Sequence, residues 1–114
     1  MPNNLPFSPF RTSGNLIFLS GQVGIREGRL VSGDVGEHTT QAIENVNTIL
    51  KANNLTLSDV VDVTAFLIDQ QDYNVFNEIY ARSFSEPFPT RTTVTVKSLP
   101  LEARIELKVI AQLT

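Results

Sequence analysis

The chain has no cysteine, and its 114 residues include a single histidine, His38. Missing thiols exclude disulfides, thiolate nucleophiles and sulfur-ligated metals together. One imidazole leaves a His-rich zinc site without ligands and gives a Ser-His dyad little to draw on. Basic runs are absent too, for nine Lys and Arg are spread along a chain of formal net charge −3. That balance makes a poor electrostatic partner for nucleic acid. No apolar run approaches the ~20 residues of a membrane span. The opening MPNNLPFSPFR lacks the basic n-region and apolar stretch of a secretory signal. The expectation is a soluble cytoplasmic protein with neither nucleic acid nor membrane as partner.

What is present suits one globular domain over 1–114: 41% hydrophobic and 18% charged residues with no low-complexity tract. Pro2, Pro6 and Pro9 predict an irregular, extended arm. Asn15 to Ser20 reads as a strand closed by Gly21, with Gln22 to Ile25 as its continuation. Ile25 to Leu30 has the Gly-centred pattern of a hairpin. Apolar residues at 42, 43, 46, 49 and 50 predict a helix over 37–52, and Glu37 in its first turn suits the helix dipole. Ser58 to Ile68 is β-branched and nearly continuous in apolar character, an interior strand. Tyr73, Phe76, Tyr80 and Phe84 recur at helical spacing behind Asp72, a suitable N-cap. Thr92–Lys97 and Arg104–Gln112 then alternate as strands.

The predicted order β-β-(β)-α-β-α-β-β gives an α+β fold, a mostly antiparallel sheet with two helices on one face. The other face, presenting Thr, Lys, Arg and Glu beside Val and Ile, calls for a cover, and self-association supplies one.

Arg91, between Phe88-Pro89 and a Thr/Val run, reads either as a solvated strand end or as a clamp for a planar carboxylate. It shares a strand face with Thr93, Thr95 and Lys97. Glu106, flanked on its face by Arg104 and Lys108, reads either as a salt-bridged surface group or as a general base raised by burial. Asn77 lies inside an aromatic helical stripe, as a structural hydrogen bonder or a polar finger into a site. Ser20-Gly21 is a strand end or a loop of close backbone approach. Phe10 and Phe88 are core anchors or a wall beside Arg91. His38 is expected at the surface, and GDVG at 33–36 lacks the glycine spacing of a phosphate loop.

In order along the chain stand SGQVG at 20–24, ILKANNLTLSDVV, NEIY at 77–80, FPTRTTV at 88–94 and RIELKVIA at 104–111. This pattern resembles the reactive-intermediate deaminase (Rid, or YjgF) family, most closely its RidA branch, from Pro9 to Ala111. Some members of that family carry the label endoribonuclease. The resemblance implies a chorismate-mutase-like fold and a homotrimer with clefts at the subunit interfaces. It further implies hydrolysis of 2-imino acids to 2-oxo acids and ammonia, without metal or organic cofactor. Arg91 matches the family's carboxylate-holding arginine, and Glu106 the glutamate that works with water. Ser20, Gly21, Asn77 and Phe88 fall in substrate-site segments. Phe10 and Thr93 also fall there, but the RidA branch usually has tyrosine and cysteine at those two positions. A non-catalytic trimer binding small carboxylates is the alternative, and a ribonuclease, given the acidic charge, ranks last.

Overall fold

A computed structural model of the chain describes residues 5–114, so Pro2 of the expected arm lies outside the described residues. The strands are β1 (Phe10–Ser13), β2 (Leu16–Leu19), β3 (Gln22–Val23), β4 (Ile25–Arg26), β5 (Arg29–Leu30), β6 (Val60–Leu67), β7 (Thr90–Thr95) and β8 (Ile105–Gln112). The helices are α1 (Val35–Ala52) and α2 (Tyr73–Ser83). One sheet runs β1-β2-β8-β6-β7, with β3 also on β8, and β4-β5 form a separate hairpin. Every pairing is antiparallel except β6-β7, so the predicted α+β class holds.

Alternation puts one side of the sheet in the core. Ile17 and Leu19, Val63, Ala65 and Leu67, and Ile105, Leu107, Val109 and Ala111 are all buried. Ala42, Val46 and Leu50 of α1 and Phe76 and Tyr80 of α2 join the same cluster. The opposite side carries Phe18, Thr64, Phe66, Glu106, Lys108 and Ile110, partly buried, and Val94, 39% exposed.

Four expectations are corrected. The arm forms β1 from Phe10 onward, and its hairpin with β2 turns at Gly14, whose φ of 59° suits glycine. Helix α1 begins two residues early because Asp34 caps it: Asp34 Oδ1 accepts from Gly36 and Glu37 N–H, while Glu37 Oε1 accepts from Asp34 N–H. His38 is buried rather than surface, since the Gly24 backbone packs directly over it. Asp72 stands at the start of α2 without capping it, because its carboxylate takes Arg104 instead, at 3.0 Å.

The strand expected to run on from Ser20 is interrupted. Strand β2 pairs with Ile110–Gln112 and β3 with Glu106–Leu107, so Leu19–Gly21 loop out opposite Lys108 and Val109. Lys108 Nζ closes the gap by donating to the Leu19 carbonyl at 2.6 Å.

Candidate functional site

The register separates the two residues that the sequence paired. Arg91 stands beside Val63, and Thr93 beside Ala65, in the parallel β6-β7 ladder. Parallel neighbours share a face, so Arg91 and Thr93 point to the helices. Glu106 stands opposite Phe66 and alternates with the buried Ile105 and Leu107, so it points the other way. Strand β6 lies between them, and the levels differ by three residues along the strands. Standard sheet spacings put their backbones about 14 Å apart, on opposite faces. The sequence reading had Arg91 on the uncovered face. Val94 occupies that face instead, because α2 offers the guanidinium an aromatic bed.

That bed has three rings. The Arg91 guanidinium carbon lies 4.7 Å from the Tyr80 ring centre, 5.3 Å from Phe76 and 5.8 Å from Tyr73. Cation–π attraction of this kind strengthens as water is excluded. Arg91 Nη2 also donates to the Tyr73 hydroxyl at 3.0 Å. Burial pushes the Tyr80 phenol pKa up, the Arg91 charge pulls against it, and Asp62 adds to the rise. Tyr80 OH and Thr93 Oγ1 are buried with no hydrogen-bond partner among the described residues. Asn77 is partly buried one turn from Tyr73, and its side chain makes no hydrogen bond among the described residues.

The second cluster lies on the far side of the sheet. Ser20, Gly21 and Glu106 line one groove of about 470 Å³ with Leu5, Phe7, Val23, Pro100 and Leu101. Ser20 fastens the arm there, its hydroxyl donating to the Ser8 carbonyl at 2.6 Å and its N–H to Pro9 O at 2.9 Å. Gly21 leaves room for the carboxylate, because a Cβ at that position would overlap Glu106 Oε2 and push that side chain aside. Neither cation on the face of Glu106 bridges to it: Arg104 goes to Asp72 and Lys108 to Leu19 O. Burial alone pushes the Glu106 carboxyl pKa up. A partly buried carboxylate with a raised proton affinity, bridged to no cation among the described residues, is fitted to move a proton. Leu5, Phe7 and Leu101 are each more than half exposed at the rim, an apolar patch of the kind that meets a ligand or partner.

The remaining candidates divide. Phe10 packs against the core, whereas Phe88 is 51% exposed beside Pro87 and Pro89, away from both clusters. Sequence reasoning missed the cage role of Tyr73, Phe76 and Tyr80, although their helical spacing was visible. It also missed the groove walls Leu5, Phe7 and Leu101, which no periodic pattern marks. Among the described residues no group of three or more His, Asp or Glu is placed to hold a metal ion. No described helix is long and apolar enough to cross a membrane.

Residues 2–113 match the family described as Endoribonuclease L-PSP. The human 2-iminobutanoate/2-iminopropanoate deaminase is 40% identical over 108 residues, covering 93% of this chain and 79% of that protein. The crystal structure of yeast Mmf1 is similar with a TM-score of 0.94 at 33% identity, covering 99% of this chain and 91% of that one. That of E. coli TdcF with bound serine gives 0.89 at 28% identity, covering 98% and 91%. With that match along nearly its whole length, the chain belongs to the endoribonuclease L-PSP family, the Rid/YjgF proteins.

Proposed function

We propose that this protein hydrolyses small 2-imino acids to 2-oxo acids and ammonia, at sites completed between copies of the chain in a homotrimer. The observation that carries the reading is the pair of half-sites: a caged, partly exposed guanidinium on the helix side of the sheet and, on the other side, a proton-avid carboxylate bridged to no cation among the described residues. A 2-imino acid needs both and is too small to span about 14 Å through a sheet. A neighbouring copy brings its own Arg91 to this copy's Glu106. The name of the human relative and the serine held by TdcF agree with a small carboxylate ligand.

The chemistry balances with these groups alone. Arg91 grips the carboxylate in bidentate fashion and fixes the electrophilic C2. Glu106 takes a proton from water as its oxygen bonds to C2, giving a tetrahedral carbinolamine. Starting from the protonated imine, Glu106 then passes that proton to nitrogen, the C–N bond breaks and ammonia leaves, while the C2 hydroxyl gives its remaining proton back to the Glu106 carboxylate as the carbonyl forms. Thr93 and the backbone at Gly21 stand beside these two groups, and Ser20 anchors the loop that carries Gly21.

The test couples the protein to a threonine dehydratase and follows imine trapped as its semicarbazone. Arg91→Ala and Glu106→Gln are each expected to lose at least about a hundredfold in kcat/KM. Co-refolding the two inactive variants in equal amounts restores roughly a quarter of the parental activity, because chance rebuilds that share of intact sites. No recovery on mixing removes the shared-site reading. Tight 2-oxo acid binding without turnover points instead to a binding protein, and RNA cleavage by the same preparation, lost in Arg91→Ala, to a ribonuclease.

A further inference from the structure

The aromatic cage holds a group that the clamp described above does not use. Tyr73 opens α2, is 40% exposed, and accepts a hydrogen bond from Arg91 Nη2. A phenol has one O–H to give as well as lone pairs to receive. Receiving from Arg91 leaves that proton uncommitted, and among the described residues no acceptor takes it. The other two rings of the cage, Phe76 and Tyr80, are buried, so Tyr73 forms the solvent-side rim. On that side the remaining guanidinium N–H groups and the Tyr73 O–H are available to an arriving anion. The bond from a cation also polarises the phenol and makes its proton a better donor.

We infer that Tyr73 is a second carboxylate-binding residue, its hydroxyl donating to the same anionic group that Arg91 grips. Its first bond stops the guanidinium from rotating on its long stem, and its second adds a donor beside the fork. The ligand class is a small 2-oxo or 2-imino acid, so the inference rests on the imine-hydrolase reading of the site. Phe76 and Tyr80 hold the cation, while Tyr73 both holds it and touches the ligand.

Tyr73→Phe keeps the ring and its stacking and removes only the oxygen. Binding of 2-oxobutanoate is measured by titration calorimetry, and imine turnover by the coupled assay. The expected result is a rise of about tenfold in both Kd and KM, the scale of one hydrogen bond to a charged group, with kcat held within about twofold. The methyl ester of 2-oxobutanoate, lacking the charge, binds the parent and Tyr73→Phe alike. Unchanged Kd and KM overturn the role of Tyr73, as does a change confined to thermal stability. A parent that binds 2-oxobutanoate and consumes imine beside an unaltered Tyr73→Phe overturns this role alone. A parent that does neither overturns the reading beneath it as well.

Discussion

Glu106 carries a conflict between folding and chemistry. Burial raises its pKa above the ordinary value of 4.5, so the folded chain binds this proton more readily than the unfolded chain does. Above both pKa values the charge therefore weighs against the fold, and that weight fades as pH falls through the raised folded value to the unfolded one. Glu106→Gln is expected to melt higher than the parent at pH 7, with the gap closing near pH 4, as calorimetry across that range will measure. On the proposed mechanism activity runs the opposite way, with kcat/KM expected to rise with pH as the raised carboxyl ionises. Gly21→Ala tests the same contact from the other side. Its Cβ displaces a flexible carboxylate rather than backbone, so turnover falls about tenfold or more while Tm moves by only a degree or two. Both residues stood out in the sequence because motif and spacing mark them. Their sidedness did not, because alternation divides a strand into two faces without saying which one meets the helices.

At the level of elements, legibility followed the strength of the periodic signal. Strand β8 was readable because Ile105, Leu107, Val109 and Ala111 alternate without interruption and are all buried. Strand β1 was hidden by Pro9 before it and by the polar run Arg11-Thr12-Ser13, whose place in the sheet comes from pairing with β2 rather than from burial. The start of α1 was obscured by Gly33 and Gly36, which suggest a break, whereas the Asp34 side chain turns the same stretch into a cap. Asp34→Ala removes the acceptor for two helix N–H groups and is expected to cost about 1 kcal/mol, lowering Tm by about 4–8 °C in a chain of this size. In α2 the stripe was read correctly as helix and incompletely as chemistry. Aromatics at 73, 76 and 80 satisfy a core pattern equally well when one side of them receives a guanidinium.

For the whole molecule, the open sheet face is where the proposed assembly is put to the test. Phe18, Phe66 and Ile110 surround Glu106 and Lys108 there, with Val94 exposed at the edge of the patch. Such a face is covered by another copy in the proposed trimer. Val94→Asp paired with Phe18→Asp is expected to shift the particle in sedimentation from about three times the 12.6 kDa chain mass to a single chain, with imine turnover lost and the helical circular-dichroism signal kept. A variant that remains associated and active places the contact elsewhere.

With the sites shared between copies as proposed, the back-to-back placement of Arg91 and Glu106 also governs how catalytic output tracks the amount of protein. On that reading a lone chain holds its cation where its own carboxylate never reaches, so dilution is expected to idle it. Near the concentration at which copies part, halving the protein removes more than half the turnover, and the dose–activity curve bends upward. Abundance itself then works as a threshold, because a cell making little of this chain gets proportionally even less chemistry from it.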